Sequence, residues 1–486
     1  MIDPFSLLPL SVAAHGGRVD DFEAQQLVAA GLTLLRRSAP LVRALSGKRA
    51  AILLPTSPAF IVALAAAEGR GAVLINPLAA RFEIAHQLKD ANVGSVFTTS
   101  ALAANLPDSF PKVLLDDAPR RAQVAIDNQV RDIDLGTHIG MPIEGNADAP
   151  GSDEEAVIVY TSAMAGTPLG AILSHRNLLA NGRATIQVVG NNADDRVLAL
   201  LPYSHLFGLT ATCTAPLLAA ASVVTMAKFS SSRAMELIST GSITEVVGVP
   251  SVYRALLSVM ERRGSSAVGA LRVAICGGAP LTVELQDRWF DATGVELRQG
   301  YGLTEAGPVS LYNSVDRPNL RGSLGSPLPG VDIELFDAVT YDELGRPRTP
   351  PAHSSPVANG EICIRGDNVF RGYVSGGELG LPVRDGWLHS GDLGRRDADG
   401  TIHFAGLIKP MFTRNGFNIY PREIERVVGE MQGVVRIDAR EVAAAIVDRE
   451  PEIALDVEGN VTEDDVKLWC AERLSAYKQP AVIVVR

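Results

Sequence analysis

The sequence predicts an α/β protein: a large N-terminal domain of layered α/β subdomains with a β-rich part, then a small α+β C-terminal domain. Three observations carry this. Short apolar runs rich in β-branched residues alternate with longer helix-like segments, the pattern of mainly parallel sheets covered by helices. A stretch rich in proline, serine and glycine at 345–359 breaks that alternation and is followed by closely spaced strand signals. The length, 486 residues, holds roughly two to four packing units at ~100–200 residues each.

Taken in order, Ala50–Leu54 reads as a buried strand and Ala59–Gly69 as an alanine-rich helix. Ala72–Ile75 is strand-like, Phe82–Asn92 helix-like and Ser95–Phe97 strand-like. Further strands are expected at Ala156–Tyr160, Val197–Leu201, Glu245–Val249, Arg272–Cys276 and Val295–Gln299. Beyond the proline-rich loop come Glu361–Arg365 and Thr401–Phe404. From Lys409 onward the chain reads as a small separate unit. It has a helix at Pro421–Met431 with proline in its first turn, strands at Val434–Ile437 and Val442–Val447, a helix at Glu463–Leu474 and a terminal strand at Ala481–Val485.

Lysine plus arginine total 44 against 55 aspartate plus glutamate, a formal charge of −11. With no long basic run, nucleic acid is excluded as the main partner. Apolar residues are 47% and charged residues 20%, which is globular rather than disordered usage. Cys213, Cys276, Cys363 and Cys470 lie far apart. That leaves no zinc knuckle and no CxxC pair, and it fits a reduced, cytoplasmic setting. Phe5–Ala14 is apolar but has no preceding positive segment, so it is not read as a signal peptide. The most apolar long stretch, Val197–Ala227, contains Pro202, His205 and Pro216 and reads as buried core rather than a membrane span.

Five segments carry chemistry. Tyr160–Gly170, between a strand and a helix-like segment, gathers hydroxyls and backbone amides able to meet a polyphosphate; such residues also serve turn geometry alone. Cys276-Gly-Gly-Ala-Pro280 lets a ligand approach the backbone closely, or is simply a tight turn. Gly300-Tyr-Gly-Leu-Thr-Glu-Ala-Gly-Pro308 puts an aromatic ring, a hydroxyl and a carboxylate close together, a set that could stack on a base, contact a phosphate and hold magnesium; the plain alternative is a glycine-rich loop. His389-Ser-Gly-Asp-Leu-Gly394 holds a carboxylate in a glycine turn, suited to a vicinal diol, ahead of a hairpin turn at Asp399-Gly400. The last segment runs from Gly406 to Glu425, across the junction into a helix.

In this order and spacing, the segments resemble the adenylate-forming superfamily of acyl-CoA synthetases, luciferases and nonribosomal peptide adenylation domains. The likeness runs from about Ala50 to Pro480, its strongest single motif is Tyr301-Gly302-Leu303-Thr304-Glu305, and it is closest to acyl-CoA ligases through "AAILLPTSPAFIVALAAAEGRGAVLINPL" and "LPYSHLFGL". It implies an AMP-binding domain over 1–406 and a small mobile domain over 407–486. It also implies attack of a carboxylate on the α-phosphate of Mg-ATP, then transfer of the acyl group to a thiol of coenzyme A or of a carrier phosphopantetheine. By resemblance, Thr161, Ser162, Gly166 and Thr167 line the phosphates. Gly278, Ala279 and Pro280 flank adenine, Tyr301 stacks on it, and Asp392 holds the ribose. Thr304 touches the α-phosphate, Glu305 holds Mg²⁺, His205 sits at the acyl pocket, Lys409 is the hinge and Gly416 lies by the thiol tunnel.

Three departures from the family pattern remove cations. Ala163, Met164 and Ala165 replace Gly-Thr-Thr in the phosphate loop, and Leu169 replaces its lysine. Leu407 stands where the family has arginine, and Pro410 takes the usual acidic position. The family's catalytic lysine lies beyond "AYKQP" at Ala476–Pro480, and the sequence given ends at Arg486. Losing one preorganised donor costs roughly 10²–10³ in rate. Two readings therefore stand together: an acid–thiol ligase for an apolar acyl or aryl acid, and a divergent member that binds an acyl-adenylate or thioester for a partial or non-catalytic role. The expected partners are a small carboxylic acid and, as an alternative acceptor, an acyl carrier protein; a homodimer is the commonest closed assembly.

Overall fold

The computed structural model describes residues 12–13, 15–42, 48–67, 70–108, 110–126, 129–136, 151–161, 168–241, 243–338, 356–374, 382–408, 411–443 and 450–486. The expected hinge Lys409, the phosphate-loop residues Ser162, Gly166 and Thr167, and most of the proline-rich loop lie outside these.

Two nine-stranded sheets form the bulk of the molecule. In the first, Leu297–Gly302, Val273–Cys276, Glu245–Gly248, Arg196–Ala199 and Ser222–Thr225 lie side by side in parallel, and antiparallel pairs close its edges. In the second, Glu155–Thr161, Ala72–Leu74, Arg49–Ile52, Val93–Thr98 and Lys112–Leu114 form the parallel centre. These strands are continuous apolar runs because helices cover both faces, so no polar alternation is called for. The helix Pro58–Ala66 shows the same logic: every position after its proline is buried, which is why it carries alanine and branched aliphatics all round.

The β-rich part is an antiparallel sheet of Val331–Phe336, Asn359–Gly366, Trp387–Arg396 and Val383–Arg384, with Ile402–Leu407 added to Trp387–Arg396. The hairpin at Asp399-Gly400 forms as expected, closed by Asp397 N–H donating to Thr401 O at 2.9 Å.

After 411, a third apolar core gathers residues from Phe412 to Leu474, including Ile424, Val428, Leu455, Val466 and Cys470. Its helices are Pro421–Gly429 and Glu463–Arg473. Its sheet corrects the sequence reading. The strand expected at Val434–Ile437 runs on to Val442 and pairs with Glu452–Gly459, which was not anticipated, while most of the strand expected at Val442–Val447 lies outside the described residues. Arg436, Asp438 and Arg440 interrupt the apolar signal because this sheet keeps one face in water, as antiparallel sheets can.

The stretch Val197–Ala227 is buried core, broken into a strand, short helical turns and a second strand. Among the described residues no helix is long and apolar enough to cross a membrane.

Candidate active site

A cavity of about 520 Å³ opens at the carboxyl ends of the first sheet's strands. Its walls include Thr161, His205, Gly278, Ala279, Pro280 and Tyr301, together with Thr304, Glu305, Asp392 and Gly416. Every expected site residue that is described therefore reaches one space. Ligands collect at strand ends in such folds because helix N-termini and loops converge there.

Tyr301 extends the strand Leu297–Gly302 past the point where the sequence ended it. Its hydroxyl donates to Asp392 Oδ2 at 2.7 Å. Burial first, and the Asp392 carboxylate next, hold that phenol well above its usual range. Gly302 then permits a turn no other residue fits, since a Cβ there would lie 1.8 Å from Pro308 O. The turn delivers Thr304 and Glu305 on a single 3-10 turn, Thr304–Ala306. Tyr373 donates its hydroxyl to Glu305 Oε1 at 2.8 Å, and the Phe370 N–H donates to Glu305 O at 2.9 Å. Glu305 is thus oriented while still facing the cavity. One carboxylate facing the cavity fits magnesium, which keeps most of its shell as water and phosphate oxygen.

Asp392 corrects the expectation of a glycine turn. It sits within the strand Trp387–Arg396, where Cys363 pairs with His389 but Glu361 pairs with Leu393. Ser390–Asp392 therefore bulge out, a device that re-aims a side chain beside a site. Glu361, fully buried, supports the bulge: its Oε1 accepts the Gly391 N–H at 2.8 Å and its Oε2 lies 2.9 Å from His389 Nδ1. Cys363 Sγ lies 3.5 Å from the same nitrogen, so Glu361, Cys363 and His389 could also gather round a metal ion. With one Glu361 oxygen already committed to the backbone, we read the trio as a hydrogen-bonded prop. Sequence reasoning missed Glu361, and nothing in "GEIC" taken alone would have found it.

His205 caps the short helix Leu206–Leu209, its Nδ1 accepting the Phe207 N–H at 3.2 Å. Burial pushes its imidazole down to about 4. Its ring meets Phe417 edge-on, with centroids 6.4 Å apart, and Phe417 stacks on Tyr477 at 4.2 Å.

Those rings belong to the C-terminal unit, which is docked over the cavity. Gly416, at φ +80°, presses against Val249; a Cβ there would lie 2.4 Å from Val249 Cγ1. Lys478, from "AYKQP", is buried between Glu83 Oε1 at 2.8 Å and Glu423 Oε1 at 2.6 Å, and Ser475 bonds to the same Glu83 carboxylate. Glu83 belongs to the helix Arg81–Asp90 and Glu423 to Pro421–Gly429, so one ammonium joins the two units. The two carboxylates raise the Lys478 ammonium above its usual range despite the opposing effect of burial. Arg254, also on the cavity wall, pairs with Glu450 at 2.5 Å.

The profile described as "AMP-binding enzyme" matches residues 40–374. The chain belongs to the AMP-binding enzyme family. A feruloyl-CoA synthase from an Amycolatopsis species is 31% identical over 450 residues, covering 89% of this chain and 84% of that one. A long-chain-fatty-acid–CoA ligase of Bacillus subtilis is 28% identical over 471 residues, covering 89% and 81%. Among solved structures, an o-succinylbenzoate CoA synthetase from Bacillus subtilis superposes with a TM-score of 0.76 at 23% identity, covering 99% of this chain and 95% of that one. This AMP-binding enzyme is an ATP-dependent acid–thiol ligase with a large N-terminal and a smaller C-terminal part.

Proposed function

We propose that this chain activates an acid with an apolar acyl or aryl body as its acyl-adenylate and passes the acyl group to a thiol. The observation that carries this is the Tyr301–Asp392 hydrogen bond at the wall of a cavity shared with Thr304 and Glu305. Adenine would lie between Gly278–Pro280 and the Tyr301 ring, with the ribose hydroxyls on Asp392. Thr304 would contact the α-phosphate, and Glu305 would hold Mg²⁺. A carboxylate oxygen forms a bond to the α-phosphorus as the bond to pyrophosphate breaks. In the second step a thiolate adds to the acyl carbon and AMP leaves with the electron pair. Gly416 would flank the thiol's path, Lys409 would be the hinge, and Thr161 with Ser162, Gly166 and Thr167 would face the phosphates. We place the domain boundary at 406/407.

The test is release of AMP and formation of thioester from a panel of carboxylic acids with ATP and Mg²⁺. Coenzyme A and a phosphopantetheinylated carrier protein are run in parallel as acceptors. No AMP and no thioester from any acid would sink the reading.

A second reading draws on charge. Among the described residues lining the cavity, lysine and arginine are represented by Arg254 and Lys478, and both are held by carboxylates. Leu407 pairs directly opposite Asp392 on the neighbouring strand. A site so arranged suits AMP or an acyl-adenylate better than triphosphate, and the protein would then perform a partial reaction. Calorimetry separates the two: tight binding of a non-hydrolysable acyl-adenylate with negligible ATP turnover supports the second, and brisk turnover excludes it.

A further inference from the structure

The cavity wall also carries Thr185 and Tyr312 among Val188, Val189, Ala211 and Leu324. Tyr312 is 2% exposed and Thr185 4%. Neither hydroxyl has a hydrogen-bond partner among the described residues. Buried hydroxyls are nearly always paired, because an unpaired one forfeits its water without replacement. A helical threonine ordinarily bonds back to the carbonyl four residues earlier, and Thr185 does not.

The two hydroxyls belong to one seam. The helix His175–Val189 runs beside the strand Val309–Tyr312. At one end Asn181 Nδ2 donates to Val309 O at 2.6 Å. At the other, Val188 O accepts from Val315 N–H at 2.9 Å and from Ser314 Oγ at 3.1 Å. Thr185 lies between Asn181 and Val188 on the same helix face, and Tyr312 lies between Val309 and Ser314. The strand pairing sets Tyr312 opposite Gly300, with the Tyr301–Glu305 run leading away towards the reacting end. A Cβ on Gly300 would meet the Tyr312 ring at 3.4 Å, so the ring lies along the cavity wall there. Burial, and then the Glu245 carboxyl nearby, keep the Tyr312 phenol protonated and able to donate.

We propose that the acid accepted here carries a hydrogen-bonding oxygen, a hydroxyl or a carbonyl, at the end of its apolar body remote from the carboxylate, and that Tyr312 and Thr185 receive it. This rests on the acyl-adenylate reading above. A plain alkyl or aryl tail would leave both hydroxyls unpaired in the closed complex, and sites built to bond a substrate oxygen discriminate strongly against analogues that lack it.

The test is calorimetric affinity for matched non-hydrolysable acyl-sulfamoyl adenosines: para-hydroxycinnamoyl against cinnamoyl, and ω-hydroxydecanoyl against decanoyl. The oxygenated member of at least one pair binds roughly tenfold tighter or more. Tyr312→Phe and Thr185→Val, both near-isosteric, each lower that ratio by about threefold or more. Equal affinities within both pairs, or a ratio that neither variant moves, would overturn the proposal while leaving the acyl-adenylate reading intact. Failure of every analogue to bind would overturn both together.

Discussion

On the side of the cavity formed by Gly278–Pro280, Tyr301 and Asp392, polar groups are oriented by other protein groups. Tyr301 holds Asp392, Tyr373 holds Glu305, and Glu361 holds the bulge beneath Asp392. On the side formed by Thr161, Pro168 and Leu407, positive charge is sparse among the described residues. Leu407 stands across from Asp392, and Lys478 and Arg254 are committed to carboxylates. Preorganised dipoles need no rearrangement at the moment of reaction; the side of Tyr301 and Asp392 has them, whereas on the side of Leu407 the described residues lining the cavity offer no lysine or arginine that is not already held by a carboxylate. Recognition and charge stabilisation are separate investments in this fold, and one can persist while the other diverges.

Mutation separates the two sides of the cavity. The largest expected effect falls on the Lys478 clasp. Lys478→Ala leaves Glu83 and Glu423 buried without their cation and should cost about 3–5 kcal/mol of stability in equilibrium unfolding. A change under ~1 kcal/mol would mean the ammonium is available to the site after all. Next, Glu305→Ala should lower magnesium-dependent AMP release by roughly 10²–10³; an unchanged rate would remove the metal from the oriented side. Leu407→Arg adds a cation opposite Asp392 and should raise adenylation by about 10-fold or more, measured as pyrophosphate release. No gain would show that Leu407 does not limit the reaction. Tyr373→Phe removes one bond to Glu305 and should cost about 1 kcal/mol in transition-state binding, read from kcat/KM at limiting Mg²⁺.

A comparably small effect concerns pH. Burial pushes His205 down to about 4, from an ordinary 6.5. Between those values the unfolded chain binds the extra proton, so stability rises with pH across that window and is lost as pH falls through the lower value. His205→Gln should flatten that slope by on the order of 1–2 kcal/mol, discounted because the ring faces the cavity. For the same reason His205 is neutral at pH 7 and does not stand in for the missing cations. A nucleotide affinity that climbed as pH fell through 6.5, and lost that climb in His205→Gln, would contradict this.

Much of the molecule was legible in the sequence because its strands are fully buried and read as unbroken apolar runs. The motifs at 276–280, 300–308 and 389–394 were legible through their order and spacing, since each alone reads as well as a turn or a glycine-rich loop. What joins them was not. Tyr301 and Asp392 are separated by 91 residues, and Lys478 and Glu83 by 395. Periodicity carries no record of such pairings. The strand Glu452–Gly459 was missed because its partner strand's solvent face is charged. Glu361 was invisible because a buried carboxylate that serves the backbone resembles any strand-end acid. Thr185 and Tyr312 looked like ordinary members of a helix and a strand, and only the missing bond partners set them apart.

Gly416 presses its backbone against Val249 with no room for even a methyl group. That makes residue 416 a spacer of adjustable thickness. Alanine, valine and leucine substituted there in turn would prop the two units apart by graded increments, and the thioester-forming half-reaction would then report, step by step, how close an approach it requires.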